Sequence, residues 1–171
     1  MADGYKAFLD ATEWDRVFAA LDGPIKESLA RRMAVEGGVE LRDEAKRWAP
    51  VKDGTLRNSI YLVFDQSRST PNSYSYSISW NAKKAPHGHL QEFGHWMKWQ
   101  VIFNAKLGRF QTLATGKNAN AKGVPRKGGP KWIAAKPFLR PAYDIVTPKL
   151  LPIVVARGRK ELPILLAEHA K

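Results

Sequence analysis

Two helices are predicted by the hydrophobic pattern of the N-terminal third of the chain. Residues 12–21 carry an apolar stripe at helical spacing, formed by Trp14, Val17, Phe18 and Leu21. A longer, broken stripe follows over residues 24–48. Gly37 and Gly38 lie in its middle and predict a bend there. Pro50 ends this helix, because a proline keeps the residue before it out of the α region.

The next segment alternates between apolar and polar residues, as β-strands do. In residues 73–81, SYSYSISWN, large side chains alternate with serine and asparagine, which predicts a strand with one solvent-facing side. Residues 60–67, IYLVFDQS, are the other strand of a predicted hairpin, and RSTPN connects the two. Residues 98–105, KWQVIFNA, predict a third strand.

The C-terminal region is apolar but is interrupted repeatedly by proline: Pro141, Pro148, Pro152 and Pro163. Its pattern predicts a helix that begins near Pro148, a charged break at residues 157–160 and a last helical segment. The order of helices, strands and helix predicts an α+β fold in a single domain over residues 1–171. We expect a long N-terminal helix, a small antiparallel β-sheet and a C-terminal helix.

A long segment without regular periodicity, residues 106–131, precedes the C-terminal helix. It is rich in glycine, lysine, asparagine and proline, and long loops in compact domains are usually functional. We therefore expect this long loop insertion to be an extended basic arm. Its candidate contact residues for nucleic acid or a partner protein are Lys117, Lys122, Arg126, Lys127 and Lys131.

Positive charge is concentrated in and around this arm. No Asp or Glu lies between Phe93 and Tyr143, whereas ten Lys and Arg residues do, and these account for most of the net charge of +12. A segment of one sign is typical of contact with a polyanion, most often nucleic acid. A solvated loop, or a loop paired with an acidic neighbouring subunit, would have the same composition.

The remaining composition excludes several classes of protein. The chain has no cysteine, so disulfides and thiolate metal sites are excluded. Its longest apolar run, LLPIVVA at residues 150–156, is far too short to span a bilayer. The N-terminus lacks the pattern of a signal peptide. The sequence therefore predicts a soluble intracellular protein without membrane contact.

One motif, HGHLQEFGHW at residues 87–96, has the residue types of a metal site: His87, His89, Glu92 and His95. The last three share a helical face only if the helix continues through Gly94, and glycine is more typical of a helix C-terminus. No second cluster of ligands completes the site, and the chain has neither a phosphate-binding glycine-rich loop nor a nucleophile elbow. We expect no catalytic residue, metal or cofactor, and a metal-dependent hydrolase is the weaker alternative.

Aromatic residues flank the basic ones in the second half of the chain: Trp96, Trp99, Phe103, Phe110 and Trp132. Aromatic and basic side chains together are typical of a surface on which single-stranded nucleic acid stacks. Aromatic side chains also anchor protein interfaces. Because these residues show no regular spacing, a place in the core or in a protein interface is favoured.

Three short strings follow one another along the chain: AKRWAPVKDGTLRNSI at residues 45–60, HLQEFGH at residues 89–95 and AKPFLRPAYD at residues 135–144. Together they resemble the neck or tail-completion proteins of tailed bacteriophages, which join heads to tails. The resemblance covers roughly residues 24–150. Two features depart from it: His95 and Trp96 follow Glu-Phe-Gly, and residues 106–131 lengthen a link that is often shorter in that family.

The resemblance implies a scaffolding role for the residues of these strings. They are Pro50, Gly54, Leu56, Ser59, Glu92, Phe93, Gly94, Pro137, Phe138, Arg140 and Pro141. It implies that Glu92, Phe93 and Gly94 form a turn that places Phe93 in the core. None of the strings carries catalytic chemistry, so the resemblance implies a protein that is not an enzyme.

The function that the resemblance implies is structural. Copies would form a homo-oligomeric ring at the neck of the virion, between the phage connector or adaptor and the tail proteins, around the path of the genomic double-stranded DNA. Assembly would take place in the host cytoplasm. The basic arm would contact a neighbouring protein or line the DNA path, and a free-standing nucleic-acid-binding protein is the main alternative.

Overall fold

The computed structural model describes residues 12–70, 73–114 and 123–170. The chain forms two compact units. Unit 1 comprises residues 1–88 and 137–171, and unit 2 comprises residues 89–136. Unit 2 is therefore inserted in the chain between the two parts of unit 1.

Helices and strands are both present in the described ranges. The helices are α1 (Thr12–Ala19), α2 (Gly23–Trp48), α3 (Thr55–Ser59), α4 (Gly88–Phe93) and α5 (Leu139–His169), with a 3-10 turn at Gln66–Arg68. The strands are β1 (Ile60–Phe64), β2 (Tyr76–Trp80), β3 (His95–Met97), β4 (Val101–Asn104), β5 (Arg109–Thr112) and β6 (Lys131–Ile133). They pair as three antiparallel two-stranded sheets, β1–β2, β3–β6 and β4–β5. The predicted α+β fold is confirmed, with three small sheets in place of one.

The long helix α2 runs without interruption through the two glycines at which the sequence predicted a bend. These glycines permit close packing. A Cβ at Gly37 would lie 3.0 Å from Leu150 Cδ1 and 3.1 Å from Val154 Cγ2 of α5. A Cβ at Gly38 would lie 2.7 Å from Leu62 Cδ1 of β1. The helix therefore tolerates two residues that cost about 1 kcal/mol each relative to alanine, because its neighbours approach its backbone.

The C-terminal helix corrects two predictions. It begins at Leu139 rather than near Pro148, and it continues through residues 157–160, where a break was predicted. Gly158 lies inside this supposed break, yet it is buried: a Cβ there would lie 2.6 Å from Trp14 Cη2 and 2.8 Å from Met33 Sδ. Tertiary packing therefore keeps the charged segment helical.

Three prolines lie inside α5, at positions 148, 152 and 163. An internal proline removes one helical hydrogen bond and normally costs about 3 kcal/mol. These prolines are separated by about one and about three helical turns, so they share one face, and all three are exposed. The carbonyl groups that lose a partner therefore lie towards solvent, where water can satisfy them. The helix persists because its opposite face is packed.

Two apolar clusters form the core of unit 1. The first contains Ala45, Ala49, Leu56, Ile60, Ala85, Phe138 and Ala142. The second contains Trp14, Ile25, Leu29, Met33 and Leu165. Full burial of a side chain of leucine or phenylalanine size contributes about 1.5–3 kcal/mol. The clusters join α1, α2, α3, β1 and α5 within unit 1.

The predicted hairpin is confirmed by the pairing of β1 with β2, in which Ile60 lies opposite Trp80. The indole of Trp80 packs edge-on against Phe138, with ring centroids 5.7 Å apart. Phe138 is fully buried and precedes α5 directly. Gly88 packs directly against the Trp80 indole, because a Cβ at Gly88 would overlap this ring.

A buried carboxylate lies between α2 and α5. Arg32 Nη1 donates to Glu161 Oε2 at 2.5 Å, and Arg157 Nη2 lies 2.9 Å from Glu161 Oε1. The hydrogen bond from Arg32 lowers the pKa of Glu161, and the charge of Arg157 lowers it further, against the opposing effect of desolvation. Glu36 and Glu168 extend the network, at 3.6 Å from Arg157 and 3.8 Å from Arg32.

None of the helices in the described part of the chain combines the length and the apolar character that a bilayer-crossing segment needs.

We expect Gly88→Ala to destabilise unit 1 by about 1–3 kcal/mol, because the added methyl group would displace the Trp80 indole from a filled core. Urea unfolding followed by tryptophan fluorescence measures this change. The matched control is Gly23→Ala, since Gly23 also begins a helix and a Cβ there has nothing within 4 Å. Equal unfolding free energies for the two variants would contradict the packing described for Gly88.

Glu161 should make unit 1 sensitive to acid. Because folding lowers its pKa below the ordinary value of 4.5, its ion pairs contribute stability above that pH, and this contribution is lost as the pH falls through the folded-state pKa. Glu161→Gln cannot lose this contribution. Its unfolding free energy, measured in urea at a series of pH values, should therefore fall less in acid than that of the native chain.

The control for this titration is Glu27→Gln, which removes an exposed ion pair with Arg31 on the surface of α2. Exposed pairs contribute little, so this variant should follow the native chain at every pH. A Glu161→Gln protein that loses stability in acid as steeply as the Glu27→Gln protein would contradict the role of Glu161.

Candidate interaction surface

One strand-like segment, residues 95–104, organises unit 2. Its first part is β3, which pairs with β6, and its last part is β4, which pairs with β5. Between them, the Gln100 N–H donates to the Val124 carbonyl at 2.8 Å, and the Arg126 N–H donates to the Lys98 carbonyl at 3.1 Å. We call the paired strands β3, β4, β5 and β6, together with the hydrogen-bonded residues 98–100 and 123–126, the ribbon. The described residues of the predicted arm are thus largely tied to residues 95–104, which the sequence did not predict.

Aromatic side chains pair across the ribbon but remain exposed. Trp96 lies opposite Trp132, with ring centroids 5.4 Å apart, and these side chains are 58% and 47% exposed. Phe103 lies opposite Phe110, with centroids 5.2 Å apart, and these are 57% and 61% exposed. The structure therefore excludes the core for these four residues and leaves the interface that the sequence also favoured. Such edge-to-face pairs stabilise a ribbon by about 0.5–1.5 kcal/mol beyond their buried area.

The hairpin β4–β5 exposes apolar side chains on both of its faces. Side chains alternate along a strand, so Val101 and Phe103 point to one face and Ile102 points to the other. All three are exposed. Val101 and Ile102 cannot be recognised as exposed from the sequence, because the run VIF has the composition of a buried strand. Several exposed apolar side chains on one hairpin are typical of a segment that contacts another molecule.

The charge of unit 2 is almost entirely positive. Its only acidic residue is Glu92, and Glu92 is buried. Among the candidate arm residues, Lys127 and Lys131 are exposed, whereas Arg126 is half-buried and its Nη1 donates to Met97 Sδ at 3.3 Å. Lys117 and Lys122 lie outside the described residues. The structure therefore places three of the five candidates beside the aromatic ribbon.

A shallow groove of about 520 Å³ runs along one part of the ribbon. Its lining residues are Met97, Trp99, Gln100, Val101, Phe110, Arg126 and Lys127. The walls combine apolar and aromatic side chains with two cations, and none of the lining residues is acidic. This chemistry suits a partner that presents both an apolar and an anionic group.

The turn at Glu92–Gly94 corrects one expectation. Phe93 is 57% exposed rather than in the core, and Glu92 is the buried residue. Gly94 has a φ of 72° and ends α4, as the sequence predicted. A Cβ at Gly94 would lie 2.8 Å from the Ile133 carbonyl oxygen, so β6 requires a glycine there. The Lys136 N–H donates to the Gln91 carbonyl at 2.7 Å and ties the end of unit 2 to its beginning.

The other motif residues lie in unit 1, mostly at the ends of helices. Gly54, with a φ of 78°, caps α3, and Thr55 N–H donates to Asp53 Oδ1 at 2.9 Å, which lowers the pKa of Asp53. Leu56 and Ser59 are buried, and Ser59 Oγ donates to the Leu56 carbonyl at 2.7 Å.

The remaining motif residues flank two long helices. Pro50 is half-buried and follows the end of α2. Pro137 and Pro141 are half-buried on either side of the buried Phe138, and Arg140 is exposed in the first turn of α5. The motif residues of unit 1 therefore lie in helix caps, in turns and at the ends of helices.

The histidines of the HGHLQEFGHW motif are not gathered into a metal site. His87 and His89 are exposed and His95 is half-buried. Across residues 12–70, 73–114 and 123–170, no group of three or more His, Asp or Glu side chains could hold a metal ion.

Residues 16–94 match the model of a family described as "Bacteriophage HK97-gp10, putative tail-component". Over these residues, which are less than half of the chain, the chain is similar to the HK97-gp10-like family. The match confirms the resemblance to tailed-phage neck and tail-completion proteins, and it supports a structural role in the phage tail or neck. Comparisons with curated proteins and with solved structures found no match.

The part of the chain that matches the HK97-gp10-like family ends just before β3. It contains the string at residues 45–60 and Glu-Phe-Gly, but not AKPFLRPAYD at residues 135–144. The ribbon lies beyond the match, which is therefore concentrated in the scaffold of unit 1.

Proposed function

We propose that this protein is a non-enzymatic neck component of a tailed phage, which assembles as a homo-oligomeric ring and joins the head connector or adaptor to the tail. The observation that carries the proposal is the family match over residues 16–94. In this proposal the whole chain acts as one neck domain in the virion, with residues 106–131 as its contact arm, and it assembles in the host cytoplasm.

The surface of unit 2 supports an assembly role. It exposes paired aromatic residues, an apolar hairpin and a groove lined by aromatic, Met and Arg side chains. Side chains of these types are enriched in protein interfaces. A monomer in solution would leave this apolar surface in water. Contacts with copies of itself and with neighbouring phage proteins would bury it, and burial of apolar surface is the main driving force of association.

The positions of the residues in the three sequence strings support a structural rather than a catalytic role. The residues of the three strings form caps, turns and core contacts, as in the Ser59–Leu56 hydrogen bond at 2.7 Å. Catalysis by an activated nucleophile needs a nucleophile hydrogen-bonded to a base. The described hydrogen bonds of these strings include no such pair. The phage tail-component family is consistent with this role.

The positive charge of unit 2 favours a second function, contact with DNA. Lys127 and Lys131 are exposed next to aromatic side chains of the ribbon, and unit 2 has no exposed carboxylate. In a neck ring these cations would line the DNA path and contact phosphates without reading the sequence. The same surface would serve a free-standing nucleic-acid-binding protein.

The neck proposal predicts that phage lacking this protein accumulates filled heads and tails that do not join. Addition of the purified native chain should restore joining, counted as whole particles by electron microscopy and as infectious titre. The Gly23→Ala protein is the matched control and should restore joining equally. Normal joining without the protein would refute the proposed function.

The DNA contact predicts a salt-dependent affinity that the arm cations control. Replacement of Lys117, Lys122, Arg126, Lys127 and Lys131 by glutamine should lower the slope of log affinity against log salt by about 4–5 for double-stranded DNA. Fluorescence anisotropy with a labelled duplex measures this slope. The control removes five exposed cations of unit 1 instead: Arg16, Lys83, Lys84, Arg159 and Lys160. Equal slopes for the two variants would show that charge alone, and not the arm, attracts DNA.

A further inference from the structure

The strand-like segment that organises unit 2 has one paired edge. The Gln100 N–H donates to the Val124 carbonyl, and the Gln100 carbonyl accepts from the Leu113 N–H, both at 2.8 Å. The Lys98 carbonyl accepts from the Arg126 N–H at 3.1 Å. The N–H and C=O of one strand residue point to the same edge, so all of these partners lie along one edge of the segment.

The opposite edge of the same segment is open. Backbone groups of successive strand residues point to opposite edges, so those of Trp99, Val101 and Phe103 point away from the paired edge. Across the described ranges, no hydrogen bond reaches the backbone of these three residues from that side. Their side chains are exposed as well. An open strand edge of this kind is a template for pairing with another chain.

The groove of the ribbon borders the segment with the open edge. Met97, Trp99 and Val101 line it from one face of the segment, because alternate side chains share a face, and Phe110 of β5 adds a second aromatic ring. Gly123 packs against the Trp99 indole, since a Cβ there would lie 2.9 Å from Trp99 Cδ2. An apolar side chain of an added strand therefore has aromatic and aliphatic side chains to pack against.

The charge around the groove selects the kind of strand that fits. Arg126 and Lys127 line the groove, and the only carboxylate of unit 2, that of Glu92, is buried. Pairing with the same edge of a second copy would bring two basic units together, which like charges oppose. Nucleic acid would be attracted by the cations, but it lacks the alternating N–H and C=O groups that continue a β-ladder. An acidic polypeptide satisfies both the cations and the open edge.

We propose that the open edge at Trp99, Val101 and Phe103 binds an extended acidic segment of a different protein, which adds a strand to the ribbon. Its apolar side chains lie in the groove and its carboxylates lie beside Arg126 and Lys127. In strand addition, main-chain hydrogen bonds give affinity, and pockets for alternate side chains give specificity. The inference rests on the proposed function, because in a neck component this segment belongs to a neighbouring phage protein.

A peptide of this chemistry tests whether the edge is a binding site. The probe is fluorescein-labelled VVEEVVEEV, which places valine and glutamate on both faces of a strand, and fluorescence anisotropy measures its binding to the native chain. The control VVKKVVKKV should bind more weakly by at least about ten-fold, because its lysines meet the groove cations. VVEEVVEEV with N-methylated glutamates loses donors on both strand edges and should also bind about ten-fold more weakly. Equal affinities for the three peptides would overturn the inference.

A substitution in the edge tests strand addition from the side of the protein. Val101→Pro removes the N–H that points to the open edge, and proline is tolerated in edge strands where its missing N–H faces solvent. The matched control is Val101→Thr, which changes the same side chain but keeps the N–H. Val101→Pro should bind VVEEVVEEV about ten-fold more weakly than Val101→Thr does. Equal binding by the two folded variants would contradict strand addition, and if Val101→Pro does not fold, the N-methylated peptide on the native chain decides.

The position of the charge is tested by a pair of lysines. Lys127 lines the groove, whereas Lys131 is exposed on β6 and is not part of the lining. Lys127→Gln should weaken binding of VVEEVVEEV by about two- to five-fold, and Lys131→Gln should leave it unchanged. Equal losses in the two variants would show that the peptide responds to net charge alone, which would contradict docking in the groove.

Two other occupants of the edge would give different results. If labelled oligothymidylate binds and VVEEVVEEV does not, the groove is a nucleic-acid site and the inference is wrong. If the peptide does not bind, but the native chain self-associates in analytical ultracentrifugation and Val101→Pro abolishes this, the edge pairs with a second copy and the inference is again wrong.

These tests separate the added strand from the proposed function. If VVEEVVEEV shows no preference for the edge, but phage lacking the protein still accumulates unjoined heads and tails, strand addition is wrong and the neck function stands. If the peptide binds as described, but phage without the protein joins heads to tails normally, the edge binds an acidic strand and the neck function fails.

Discussion

The packing of α2 against α5 is the constraint on which unit 1 depends. Gly37 and Gly158 lie in this seam, where the partner's side chains fill the space that a Cβ would take. The same seam buries Glu161 between arginines of both helices. A buried carboxylate is tolerated only with its partners in place, so the charges select one register among those that apolar packing would accept. That register also sets Phe138, just before α5, against β2.

The two units differ in how far they bury their apolar side chains: unit 1 contains the apolar core, and the ribbon of unit 2 exposes its aromatic residues. The family match covers much of the scaffold and stops at Gly94, the glycine at which α4 ends and the ribbon begins. The scaffold satisfies its apolar residues internally, whereas the ribbon pairs its aromatic residues and still leaves them in water. The exposed aromatic pairs of the ribbon therefore lie outside the part of the chain that the family model matches.

Much of the scaffold could be predicted from local patterns. The period of α2 reports burial directly, and Gly94 ends a helix as its position suggests. The alternation in residues 73–81 correctly predicts the strand β2 but not its solvent-facing side, because all five residues of β2 are half-buried. The extent of α5 could not be predicted, because helix breakers on a solvent-facing side are harmless only when a distant helix packs on the other side. The ribbon was missed for a related reason: Phe93 and the VIF of β4 have core composition, and only tertiary structure shows that nothing in their own unit covers them.

An exposed apolar ribbon is also a hazard for a protein that waits for its partners. Unpaired strand edges and aromatic faces invite copies to aggregate, which would consume the protein before assembly. The sequence of unit 2 contains nine Lys and Arg residues and a single carboxylate, that of Glu92, which is buried. Two ribbons therefore repel each other at distances up to the Debye length, about 8–10 Å at physiological salt. The net positive charge of unit 2 therefore opposes the aggregation that its exposed apolar side chains favour.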